Sequence, residues 1–150
     1  MFRNFYGNRT AAESLERMIG SGRIAQTILL AGPEGVGKAT LARRFAARLL
    51  AAEAPEAAAE IEHKVEMDDL SLPENRKIIE EREKWPSEKR AEEPLFFASH
   101  PDFVTFCPEG PLRQISIQQM RLARSRAQLR PLKGRWRVFL IDRLDRAGAQ

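Results

Sequence analysis

Residues 32–40 read GPEGVGKAT, which matches a phosphate-binding loop up to its lysine and departs from it one position later. The full pattern is G-x-x-x-x-G-K-[ST], whose glycines let backbone N–H groups converge on phosphate oxygens and whose hydroxyl holds Mg²⁺. Here that hydroxyl position is an alanine, and the threonine comes one residue late, about 100° further around a helix. The candidate nucleotide-binding residues are Gly32, Pro33, Glu34, Gly35, Val36, Gly37, Lys38, Ala39 and Thr40.

The elements on either side of this loop fit a phosphate site. Ile24–Ala31 is a short apolar run typical of a buried parallel strand. Lys38–Leu50 has the helical spacing, with Leu41, Phe45 and Leu49 recurring every four residues. A strand, a glycine loop and a helix in this order place an anion at a helix N-terminus, where the dipole and free N–H groups favour it.

The remaining chain continues the alternation of helices and strands. Thr10–Gly20 is predicted as a helix with a T-x-x-E capping box, and Phe103–Phe106 as a second strand. A further helix begins at Ser116, with Gln119 at capping-box spacing, and Arg137–Asp142 is the third buried strand. The predicted fold class is therefore α/β, a P-loop NTPase with a parallel sheet flanked by helices.

Charge divides the chain into three segments. Residues 51–99 hold 14 acidic and 7 basic residues, whereas the rest holds 18 basic and 7 acidic residues, and the whole carries +4. We predict one domain in which 1–50 supply the first helix, strand and loop, 51–99 form an acidic insertion that is partly helical or mobile, and 100–150 complete the core. The basic body suits contact with phosphates.

Composition limits the location and the chemistry. No apolar run approaches the roughly 18 residues of a membrane span, and the N-terminus carries no apolar signal region. The one cysteine, Cys107, allows no internal disulfide and is expected to be a small residue near a strand end. We expect a cytoplasmic protein without membrane contact.

The end of the third strand carries an acid but lacks its usual neighbour. An Asp at the end of a strand beside the loop can hold Mg²⁺ through water, and Asp142 fits that position. The next residue is Arg143, and a cation cannot accept the proton of an attacking water, a role worth about 10²–10⁴ in rate. The sequence therefore predicts weak binding of ATP or ADP without hydrolysis, and it offers no catalytic residue. Whether Mg²⁺ binds stays open.

Together these motifs resemble the N-terminal AAA+ module of the delta prime subunit family of bacterial DNA polymerase III clamp loaders. The resemblance rests on segments in the family's order: FYGN (5–8), residues 22–50 around the loop, HPDFVTF (100–106), ISIQQMR (115–121) and PLKGRWRVFLIDRLDR (131–146). It implies an AAA+ domain of which this sequence is expected to be an N-terminal fragment, truncated after the Walker B strand, the strand ending at Asp142. Relatives often carry a four-cysteine zinc module, which is missing here, so no zinc is expected.

The resemblance also implies a function. Delta prime is a stator that commonly lacks ATPase competence, packs against the gamma/tau and delta subunits, and meets primed DNA and the sliding clamp through the complex. By this resemblance the chain belongs to the polymerase III holoenzyme without itself being a polymerase or an ATPase. The alternatives are an active P-loop ATPase, such as a gamma/tau-like subunit, and a direct DNA binder acting through the arginines of the helix from Ser116.

Overall fold

The computed structural model describes residues 9–24, 28, 37–131 and 136–142. In chain order the helices are α1 (Arg9–Ser21), α2 (Lys38–Ala51), α3 (Ala58–Glu66), α4 (Pro73–Arg82), α5 (Ser87–Glu92) and α6 (Ile117–Ala127). A single 3-10 turn, Pro55–Ala57, precedes α3. The strands are β1 (Phe97–His100), β2 (Phe103–Phe106) and β3 (Val138–Ile141).

The first two helices confirm the predicted pattern of apolar residues. Leu15 of α1 is buried with Leu41, Phe45 and Leu49 of α2, because the four-residue spacing aligns these side chains on facing stripes. Gly22 ends α1 with a φ of 72°, a left-handed conformation that glycine adopts without steric cost. The predicted cap of α1, Thr10, has its side chain outside the described part of the structure.

The second face of α2 is buried as well. Its alanines Ala46 and Ala47 and the adjacent Leu50 pack with Ile61 and Val65 of α3. Small side chains at these positions let the two helices approach closely, and α3 therefore lies directly on the helix that follows the loop motif. Because α2 is covered on two sides, its Arg43 is buried, although the sequence pattern places that residue on an outer face.

The segment 51–99 contains helices, as expected, and several of its apolar residues are buried, although Met67 and Ile78 are exposed. Leu70 and Ile79 are buried in a second cluster with Leu95, Phe97 and Cys107. This cluster joins the turn before α4, and α4 itself, to strand β1 and to the end of β2. The boundaries at 51 and 99 stay a prediction, but the helices between them share a core with the strands.

The described sheet is mixed, and its antiparallel pair departs from the predicted parallel sheet. β2 and β3 are parallel, as predicted, and their pairing runs from Phe103 with Val138 to Phe106 with Ile141. β1, which the sequence pattern does not reveal, pairs antiparallel with β2 at the edge. The predicted strand at 24–31 falls almost wholly outside the described residues, so the rest of the P-loop sheet stays a prediction.

A tight turn explains the antiparallel strand. His100 ends β1 and is buried, and its Nδ1 accepts a hydrogen bond from the backbone N–H of Asp102 at 3.0 Å. Only two residues, 101 and 102, separate β1 from β2, a distance that suits a hairpin and is too short for a parallel crossover.

Candidate nucleotide site

The described part of the predicted site is the start of α2. Gly37 is the N-cap of this helix, with φ 80° and ψ 26°, and its carbonyl accepts the first helical hydrogen bond from Leu41 N–H at 2.9 Å. A side chain at this left-handed position would be strained, which explains why the last glycine of the motif stands here. Gly32, Pro33, Glu34, Gly35 and Val36 lie outside the described residues.

Lys38, Ala39 and Thr40 form the first turn of α2, and all three are half-buried. Thr40 directs its hydroxyl toward the body of the protein, where its Oγ1 accepts a hydrogen bond from Arg43 Nη2 at 3.4 Å. Arg43 is 3% exposed. The late hydroxyl therefore has a partner three residues further along the same helix, and the residue at the metal-binding position of the motif is an alanine.

Asp142 lies at the carboxyl end of β3, as predicted. Its backbone N–H donates to the carbonyl of Phe106 at 2.8 Å, so the carboxyl ends of β2 and β3 share one edge of the sheet. Cys107 follows at the same edge. Burial, together with the smaller effect of the nearby carboxylates of Asp142 and Glu109, raises the pKa of its thiol to about 12.

The N-terminal ends of β2 and β3 lie beside the C-terminal end of α2. His100 and Asp102, which precede β2, line a small cavity together with Leu49 and Leu50 of α2 and Trp136, which precedes β3. Asp142, at the carboxyl end of β3, therefore lies at the other end of this strand from the cavity.

The start of α2 has two features that bear on the predicted nucleotide site. The left-handed glycine and the helix start suit an anion, whereas the late hydroxyl is bonded to Arg43. Among the described residues, no group of three or more His, Cys, Asp and Glu side chains could hold a metal ion. None of the helices in the described ranges is long and apolar enough to span a bilayer.

Sequence reasoning missed a buried polar network near the end of β2. Arg82 pairs with Glu109 at 2.8 Å, and the other carboxylate oxygen of Glu109 accepts from Leu95 N–H at 3.0 Å. The amide of Gln119 donates to the carbonyls of Leu95 and Cys107 at 2.9 and 2.7 Å. In the sequence, the Ser116 capping box predicts the helix that carries Gln119. It does not indicate that the Gln119 side chain is buried.

The described elements are those of an α/β protein in which a glycine-capped helix packs beside two parallel strands. The family model described as DNA polymerase III, delta subunit, matches residues 7–150. The chain therefore belongs to this family of clamp-loader-related subunits, and the resemblance to clamp loaders is confirmed. Comparisons with curated proteins and with solved structures found no significant match.

Proposed function

We propose that this chain is a non-hydrolysing stator of the delta prime type in the DNA polymerase III clamp loader. It acts in cytoplasmic DNA replication by packing against the gamma/tau and delta subunits. Primed DNA and the sliding clamp are reached through those subunits. Membership of the family supports the assembly, and the altered nucleotide site supports the stator role.

One observation carries the non-hydrolysing assignment. Thr40, the hydroxyl residue closest to the metal-binding position of the motif, is hydrogen-bonded to the buried Arg43. Ala39 stands where the pattern requires a hydroxyl, and Arg143 follows Asp142 where a general base would be needed. A P-loop enzyme needs both a held Mg²⁺ and an oriented water for hydrolysis, and both requirements are weakened here.

Weak binding of ATP or ADP is part of the proposal. Gly37 has the left-handed conformation that starts the helix, and Lys38 is in the first turn, where it can approach a terminal phosphate. The nucleotide would be a fixed structural ligand of a scaffold subunit. Binding is measured by calorimetry of ADP and ATP with and without Mg²⁺, and we expect little gain from the metal.

ATP turnover by the purified chain tests the proposal. We expect no release of phosphate above the level of a Lys38→Ala variant, alone or with gamma/tau and delta subunits in which the hydrolytic site has been disabled. Turnover at an ordinary enzyme rate that is abolished by Lys38→Ala would favour the gamma/tau-like ATPase instead. Disabled partner subunits are needed because an active partner would mask the result.

Assembly tests the stator role separately from hydrolysis. The chain should form a complex with gamma/tau and delta subunits that is stable in size-exclusion chromatography. A chain that neither turns over ATP nor enters such a complex would contradict the stator proposal while leaving the family assignment intact.

A further inference from the structure

Arg43 connects the start of the loop helix to a distant segment of the chain. The residue is 3% exposed, and its guanidinium donates to Thr40 Oγ1 at 3.4 Å on one side. On the other side, Nε lies 3.3 Å from Glu66 Oε2, and Nη2 lies 3.2 Å from Asp69 Oδ2. A buried charge is costly without partners, so this side chain holds the first turn of α2 and the residues after α3 in one arrangement.

The two carboxylates that pair with Arg43 belong to an acidic turn, defined here as residues 66–69. The side-chain amide of Asn75 donates to two backbone carbonyls of this turn at 2.9 and 2.8 Å, which fixes it to α4. Asp68 accepts a hydrogen bond from Ser99 Oγ at 2.7 Å, which fixes the turn to β1. The acidic turn is therefore anchored to two elements before it contacts Arg43.

We propose that Arg43 is a positioning residue through which the acidic turn holds the first turn of α2 ready for a nucleotide phosphate. The inference rests on the nucleotide binding proposed above and adds that the segment 51–99 contributes to the affinity. The physical reason is that the backbone N–H groups of a first helical turn are the donors to a bound phosphate. Donors that are ordered before binding lose less entropy when the ligand arrives.

A second buried arginine of the same segment supplies a matched control. Arg82 pairs with Glu109 at 2.8 Å and is 7% exposed, so it resembles Arg43 in burial and in its ion pair. Within the described part of the chain, its hydrogen bonds connect α4 to Glu93 and Glu109 rather than to α2. Loss of either arginine should destabilise the protein, but only Arg43 should alter the start of α2.

The first test compares ADP affinity in three variants by calorimetry. Arg43→Gln and Asp69→Asn should each weaken ADP binding about fivefold or more. Arg82→Gln should leave the affinity unchanged even though its unfolding midpoint falls. If all three variants lose affinity in proportion to their loss of stability, or if Asp69→Asn has no effect, Arg43 has only a structural role.

The second test needs no nucleotide. Amide hydrogen exchange of residues 39–42 should be faster in Arg43→Gln and Asp69→Asn than in the unmodified chain, and should stay unchanged in Arg82→Gln. Unaltered exchange in the first two variants would overturn the positioning role. If the unmodified chain binds no ADP, the nucleotide proposal and the affinity part of this inference both fail, and the exchange result alone decides whether Arg43 orders the helix start.

Discussion

Replacing Gln119 by methionine should be among the most damaging single changes in this molecule. The side chain is fully buried, with its amide nitrogen donating to the carbonyls of Leu95 and Cys107 at 2.9 and 2.7 Å. Its Oε1 accepts from Ser116 N–H at 2.8 Å and so completes the capping box of α6. Methionine has a similar length and can make none of these hydrogen bonds.

The loss of stability in Gln119→Met can be estimated from the polar groups that the substitution leaves without a hydrogen-bond partner. Two buried carbonyls lose a donor, and an unsatisfied buried group costs about 1–3 kcal/mol. Loss of half of the capping box adds a fraction of the roughly 1 kcal/mol that a full cap is worth. We therefore expect Gln119→Met to lower the free energy of unfolding by about 3–5 kcal/mol, which corresponds to a fall in Tm of roughly 10 °C for a chain of this size.

Urea unfolding followed by circular dichroism measures this free energy. Gln118→Met is the control, because it makes the same replacement one residue earlier, at a position that is only half-buried. It should cost less than about 1 kcal/mol. If the two variants were equally stable, or if Gln119→Met lost less than about 1 kcal/mol, the hydrogen bonds from α6 to the carbonyls before β1 and after β2 would not stabilise the fold as expected.

Three further predictions concern single residues. Because the pKa of the Cys107 thiol is raised to about 12, iodoacetamide should modify it at pH 7 only as fast as the protein unfolds; rapid modification of the folded chain would contradict its burial. Burial raises the pKa of Asp68 above its ordinary 3.8, so between these two values the folded state keeps a proton that the unfolded state has lost, and stability should fall as pH rises through this window. In urea titrations at several pH values Asp68→Asn should remove that slope, and an unchanged slope would assign it to another group. Ala39→Ser should make ADP binding stronger in Mg²⁺ by at least about fivefold, or ~1 kcal/mol, in calorimetry; an equal gain without metal would show that the added hydroxyl does not reach Mg²⁺.

Local signals account for the elements that the sequence predicted well. The helix α6 begins at Ser116 with both hydrogen bonds of the predicted capping box, because a cap involves residues only three apart. β2 has the predicted bounds, since four consecutive apolar or β-branched residues at 103–106 are all buried. The left-handed Gly37 likewise follows from its place in the loop motif.

The features that were missed depend on contacts between distant residues. β1 carries no pattern of its own and is defined by pairing with β2 across a short turn. Arg43 and Arg82 have the sequence pattern of exposed residues, but each is buried because a carboxylate 23 or 27 residues away pairs with it. A periodic pattern describes one helix face at a time and does not report which partner covers that face.

The Asp68 carboxylate also covers part of the exposed edge of the sheet. β1 is the outermost of the three described strands, and the N–H of its Ser99 donates to the two oxygens of Asp68 at 3.3 and 3.4 Å. An edge strand with unpaired N–H groups is a template on which another polypeptide can add a strand. Because the Asp68 side chain occupies the Ser99 N–H, that group is not available to pair with an added strand at β1, independently of anything that binds at the start of α2.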